Sequence, residues 1–297
     1  MGEILTRGEL FAPETVADLF SKVYGHSTLA KLSQQVPVSF NGNEMFVFTM
    51  DDEANLVGEG EKKAAGSISV APVSMVPVKI EYGARVTDEF MYGSEEKKLE
   101  ILKAFNAGYS KKVARALDIM AFHRVNPRTN VKSELLKASN CFDTAGIATV
   151  DYDATVPDDN IEAAIEKIAE YADTNGIAMA KTFSSALAKQ KDGTGARMYP
   201  QLAWGSNPGT INGCAVDVNS TVSFGNSKDK AIIGDFQNFF KWGYAKDIPL
   251  EVIPYGDPDQ TGKDLKAFNQ VYLRAETYIG WALMDPTAFT IIKDAEA

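Results

Sequence analysis

The sequence predicts an α+β fold, with helices and strands gathered in separate runs of chain rather than alternating. Apolar residues recur at every second position in stretches between Val36 and Tyr82, as strands require. They recur at steps of three and four across 95–124, as a long helix requires. The second half then opens on a further helix and runs on mainly through strand-like segments. At 297 residues and 32.3 kDa, the chain can bury a sizeable core as one large domain or two ordinary ones.

In the first segment Pro13 stands at a helix start, and Val16, Leu19, Phe20 and Val23 follow at helical spacing up to Gly25. A short apolar run, Leu29 to Leu32, comes next. The piece is too short to own a core, so it is expected to lie as an arm, with Phe11, Leu19 and Phe20 as its contacts.

Val36, Val38 and Phe40 lead to an Asn41-Gly42 turn, and Phe46, Phe48 and Met50 then share one strand face. The alternation resumes at Ile68 and Val70 and again at Val76, Val78, Ile80 and Tyr82. Between them, residues 51–67 are rich in glycine and charge and have no period. Two legs of about fifteen residues would form a ribbon reaching roughly 50 Å. A two-stranded ribbon is marginal alone in water, so its apolar face is expected to need a cover.

Ser94, followed by Glu95 and Glu96, suits the start of a helix. Leu99, Leu102, Phe105, Tyr109, Val113, Leu117 and Met120 form its apolar stripe, and Asn126-Pro127 stops it after about 45 Å. A second helix is expected from Pro157 to a Gly176 cap, with Ile161, Ala164, Ile165, Ile168 and Ala172 inward. A strand at Ile177–Ala180 and a short helix around Ser184–Lys189 follow. Further strands are expected at Ile211–Val218, at Ile232–Phe236 with a hairpin continuation through Phe239–Tyr244, at Phe268–Ile279, and at Phe289–Ile292.

Composition and motifs exclude more than they assign. A net charge of −10 repels a phosphate backbone and argues against sequence reading of nucleic acid. Cys141 and Cys214 stand isolated, so neither a disulfide framework nor a thiolate zinc site is expected. Neither His26 nor His123 has a partner at metal-ligand spacing, and no nucleophile elbow, phosphate loop or dinucleotide fingerprint occurs. The paired carboxylates Asp51/Asp52, Glu95/Glu96 and Asp158/Asp159 sit at loops or helix starts, not across a cleft. No enzyme activity, cofactor or metal is expected. No apolar run is long enough to span a membrane, and Glu3, Arg7 and Glu9 interrupt the N-terminus where a signal peptide would be apolar.

Several segments, in order, resemble the Hong Kong 97-type major capsid protein family of tailed bacteriophages. Leu56-Val57-Gly58-Glu59-Gly60-Glu61 with Lys62 resembles that family's extended-loop tip. Pro77–Ile80 through Val86–Glu89 resembles the strand leading into its spine helix. Ser184–Pro200 and Gly213–Val216 resemble the axial domain, and Ile233–Phe236 and Arg274 to Phe289 complete the series.

The resemblance implies an N-terminal arm (1–35), an extended β-ribbon loop (36–82), a peripheral domain with a spine helix (83–143 and 268–297) and an axial domain (144–267). It implies a shell of hexamers and pentamers, in the virion and assembled in the host cytoplasm, enclosing double-stranded DNA without sequence-specific binding. Val57, Glu59, Glu61, Lys62 and Lys63 become the expected inter-subunit contacts at the loop tip. Many members carry a scaffolding region ahead of the arm, whereas this sequence opens almost directly on the arm. A separate scaffolding protein is therefore expected, or else the sequence has lost a segment; a portal is a further expected partner. Some members join subunits through a Lys-to-Asn isopeptide bond, but no acceptor can be assigned for Lys62 or Lys63, and no crosslink is expected. An encapsulin-like compartment shares the fold, and a soluble two-domain enzyme or binding module is the reading from another class.

Overall fold

The computed structural model describes residues 26–295 apart from 51, 53, 64, 93 and 94. The described residues open on a short helix, α1 (Thr28–Leu32), and a two-residue strand, β1 (Gln34–Gln35). The ribbon strands β2 (Asn43–Met50) and β3 (Ile68–Met75) follow, then β4 (Val78–Thr87) and the long helix α2 (Glu95–His123). The second half holds β5 (Ala148–Asp151), α3 (Pro157–Glu166), β6 (Gly176–Met179), α4 (Lys181–Leu187), β7 (Thr210–Ile211), β8 (Cys214–Val218) and β9 (Asp229–Gly234). The long strands β10 (Phe240–Ile253) and β11 (Gln270–Leu283) and the closing strand β12 (Phe289–Lys293) complete it.

These strands make a four-stranded sheet ordered β1-β10-β11-β4, a six-stranded sheet ordered β5-β12-β9-β6-β8-β7, and the separate ribbon β2-β3. Helix α2 lays its stripe on the four-stranded sheet. Leu102, Tyr109, Val113 and Ala114 pack with Leu250 of β10 and with Leu273 and Ala275 of β11. The Tyr109 hydroxyl donates to Thr277 Oγ1 at 2.8 Å, which satisfies a polar group inside this layer. The side chains of Glu95, Glu96 and Leu99, and all of Ser94, lie outside the described residues.

Farther along, Leu117, Met120 and Ala121 enter an aromatic core shared by both sheets. Phe142 sits at its centre, with ring centroids 5.0 Å from Phe289, 5.5 Å from Phe122 and 5.7 Å from Phe240. The helix ends at Arg124, which turns left-handed at φ 54° while its N–H still reaches Met120 O. That end agrees with the 95–124 span expected from sequence, the left-handed residue breaking the repeat just ahead of Asn126-Pro127.

Several expected elements take a different form. The ribbon is shorter than its alternation suggested: β2 and β3 pair in register from Asn43↔Met75 to Met50↔Ile68, a ladder of about 26 Å. Val36 instead crosses β10, its N–H donating to Trp242 O at 2.8 Å. Pro77 separates β3 from β4, and Val78, Ile80 and Tyr82 pair with β11. Ile211–Val218 is not one strand but a hairpin, because Asn212 and Gly213 both take positive φ. Helix α3 stops at Glu166 and Gly176 opens β6 rather than capping the helix, although Ala164 and Ile168 are buried as expected.

Phe240–Tyr244 makes no hairpin with β9; it opens β10, which pairs with β11. β10 thus shares a sheet with β4 and β11, and β12 joins β5 and β9. On both counts the sheets cut across the domain division expected from sequence.

Candidate assembly surface

The ribbon is rooted in a socket made by glycines. Gly243 and Gly280 lie opposite each other in the β10-β11 ladder. A Cβ on Gly243 would collide with the carbonyl oxygen of Val36, and one on Gly280 would press on Met75. Val38, Met75 and Ala282 fill the space as a small buried cluster with Met45 and Val73 packed against it. Asn140 Nδ2 donates to Ser74 O at 2.9 Å and to Trp281 O at 3.2 Å, tying β3 to the sheet. A tight turn at Ser39–Gly42, closed by Gly42 N–H to Ser39 O, aims the chain into β2.

Beyond the root the cover ends. Cross-strand pairing puts Phe46, Phe48 and Met50 on the same face as Pro72, Val70 and Ile68. Phe48 is 68% exposed and Met50 76%, and Phe46, Ile68 and Val70 are exposed as well. Such a patch on a chain most of whose other large apolar side chains pack in well-formed clusters marks a contact surface. Pro72 has no N–H, so the outer edge of β3 lacks a donor at that position.

At the ribbon's end Gly58 and Glu61 close a turn in which Glu61 N–H donates to Gly58 O at 3.1 Å, with Gly60 at φ 84°. Glu61 Oε2 also accepts from Gly58 N–H, and Asp52 accepts from Ser67 N–H at 2.9 Å across the base of the loop. Of the expected tip residues, Glu59, Glu61, Lys62 and Lys63 are exposed and Val57 is half-buried. Phe11, Leu19 and Phe20 lie outside the described residues.

Two polar clusters escaped the sequence reading. Asp118 is fully buried on α2 and gathers the start of α1. It accepts from Ser27 Oγ at 2.5 Å, from the N–H groups of Thr28 and Leu29 at 2.9 and 3.2 Å, and from Thr221 Oγ1 at 3.0 Å. Burial pushes its carboxyl up to about 6, against the pull of those donors. Beside it Asp217 holds Thr28 Oγ1 at 2.6 Å and Lys31 Nζ at 2.5 Å. An acid isolated in the apolar run Ala116–Phe122 was the available sign.

The second cluster closes the β10-β11 connection. Arg85 on β4 donates to Asp257 Oδ1 at 2.6 Å, to Asp259 Oδ2 at 2.9 Å, to Thr261 Oγ1 at 2.7 Å and to Lys263 O at 2.9 Å. Hydrogen bonding to Arg85 holds the Asp259 carboxyl down at about 2. Among the described residues no group of three or more His, Cys, Asp or Glu side chains could hold a metal, and no helix is long and apolar enough to cross a membrane. Both cysteines are free, and burial raises the Cys141 thiol to about 11.

Comparison with known proteins bears on what the surface is for. The model of the phage capsid family matches residues 8–294. Among solved structures, a chain from Mycobacterium phage Ogopogo superposes with a TM-score of 0.74 at 29% identity, over 91% of this chain and 92% of that one. One from Gordonia phage Cozz gives 0.74 at 25% identity, over 92% and 87%. A capsid chain of a native GTA particle shares the fold at TM-score 0.59 and 14% identity, over 91% and 90%. No curated protein matches. The ribbon, long helix and both sheets all fall within the matched span, and this chain belongs to the phage capsid family as a major capsid protein that forms the head shell.

Proposed function

We propose that the ribbon β2-β3 is the arm by which each copy reaches over a neighbour within hexamers and pentamers of an icosahedral shell around double-stranded DNA. The observation that carries this is the open face of Phe46, Phe48, Met50, Ile68 and Val70 on a rooted, protruding ribbon. Burying one such side chain contributes about 1.5–3 kcal/mol, so a few covered together supply a strong contact without an ion pair. The tip residues Val57, Glu59, Glu61, Lys62 and Lys63 belong to the same contact, and a scaffolding protein and a portal complete the partners. The role is structural, and no catalytic step is assigned to any residue.

The test is assembly of purified full-length protein, followed by electron microscopy and sedimentation. Phe48→Asp with Ile68→Asp is expected to leave the melting temperature of the unassembled subunit within a few degrees while shells disappear. Deleting residues 51–67 is expected to weaken assembly in the same way. Normal shells from both variants would overturn the role of the ribbon.

A further inference from the structure

Helix α2 carries a charge pattern opposite to that of the chain as a whole. Between 97 and 115 it holds Lys97, Lys98, Lys103, Lys111, Lys112 and Arg115 against the single acid Glu100, in a protein with 40 acidic and 30 basic residues. Lys103, Lys111 and Lys112 are exposed, Lys111 opposite the stripe that packs on the four-stranded sheet and Lys103 and Lys112 on the two flanks of the open half of the helix. Among the described residues none of the three meets a carboxylate at ion-pairing distance. Arg115 lies alongside, held by Ser220 Oγ at 2.8 Å and by the Phe224 ring. From Lys103 to Lys112 the rise is about 14 Å.

The surface between these cations is low. Ala104 and Gly108 are exposed there, and a Cβ on Gly108 would meet nothing within 4 Å. A glycine in mid-helix costs about 0.5–1 kcal/mol relative to alanine, and among the described residues no close packing calls for it. Ile101, 44% exposed, is the one large apolar side chain exposed on this helix between 101 and 115 among the described residues.

We infer that this lysine face of α2 contacts the phosphate backbone of the enclosed nucleic acid, so the helix side of the four-stranded sheet lines the interior of the shell. The inference rests on the shell reading above. Protein–protein contacts are depleted in lysine and concentrate apolar side chains, which the ribbon has and this face lacks. Phosphate rows, by contrast, are met by lysines acting as point charges with no demand for base contacts. Few contacts from a protein of net charge −10 give weak, register-free attraction that lets duplex slide during filling.

The test uses full-length protein before assembly and a labelled 30-base-pair duplex of random sequence, titrated by fluorescence anisotropy at several salt concentrations. Wild type is expected to bind, with affinity falling steeply as salt rises. Lys103→Gln, Lys111→Gln and Lys112→Gln together are expected to weaken binding at least tenfold at low salt. The slope of log affinity against log salt should flatten by about 0.9 per lysine removed. Shells of normal size should still form. Lys181→Gln, Lys191→Gln and Lys266→Gln, all exposed elsewhere, should leave duplex binding unchanged. No duplex binding by wild type, or equal loss in the control triple, overturns the inference while leaving the shell reading intact. Loss of shells with duplex binding retained assigns the face to a protein contact and overturns it too. Failure of wild type to form shells at all counts against the shell reading itself.

Discussion

Asp118 gathers more of the chain than any other carboxylate described here, joining α1, α2 and the segment after β8 through one side chain. Its carboxyl is raised from the ordinary range to about 6, so the folded protein holds that proton more tightly than the unfolded chain does. Its contribution to stability is therefore full below about pH 4 and is lost as pH rises through 6, on the order of 3 kcal/mol in all. We expect Asp118→Asn to flatten this part of the stability-against-pH curve, measured by urea unfolding between pH 4 and 7. The same variant should lower stability by about 1–3 kcal/mol, because an amide N–H₂ must face donors such as Thr28 N–H and Thr221 Oγ1. An unchanged slope between pH 4 and 7 would remove Asp118 from the account. Single residues of this kind are hard to find from sequence: an acid in an apolar helix is visible, but its partners stand about 90 to 103 positions away.

Among the elements, the β10-β11 connection shows how one side chain can shape a loop. Asp257, Asp259, Thr261 and the Lys263 carbonyl alternate along it and converge on the Arg85 guanidinium, as oxygens along a turn would surround a cation. Because the charge at the centre is covalently part of β4, chelators should leave thermal stability unchanged. Arg85→Ala should open the connection, read as faster amide exchange over 255–265. Depressed carboxyls such as that of Asp259 contribute above about pH 4 and lose that contribution as pH falls toward 2, so the wild-type loop should loosen only in strong acid.

Local pattern made other elements legible and misjudged their neighbours. Alternation located β2 and β3 correctly, because one face of a ribbon is uniform along its length. It also swept in Val36–Phe40 and Val78–Tyr82, since period two reports that a residue is in a strand and not which strand lies beside it. The α2 stripe was read almost whole, as a helix of this length repeats its pattern many times. The tip residues Glu59, Glu61, Lys62 and Lys63 were legible as an exposed, charged loop, and exposed they are.

For the whole molecule, the path of the chain joins the two sheets. It leaves the six-stranded sheet at β9, builds β10 and β11 of the four-stranded sheet, and returns as β12 beside β9 and β5. Sequence order alone concealed this return, because the strands flanking β10 and β11 meet each other across the gap. The Phe142 cluster sits where the paths cross, touching residues from α2, β10 and β12. We expect Phe142→Ala to cost about 3–5 kcal/mol and to lower stability across both sheets together, with a single unfolding transition by circular dichroism and by tryptophan fluorescence. Two separated transitions would show that the sheets unfold independently.

Pro72 gives the protruding ribbon an asymmetry. Both strands of a two-stranded ribbon have an open edge, and an open edge invites further strands to add on without limit. At Pro72 the edge has no donor to offer, while the side chains beside it, Phe46 and Val70, remain free on the flat of the ribbon. Neighbours can therefore stack against the face, while a strand added along the β3 edge would lose a hydrogen bond at Pro72.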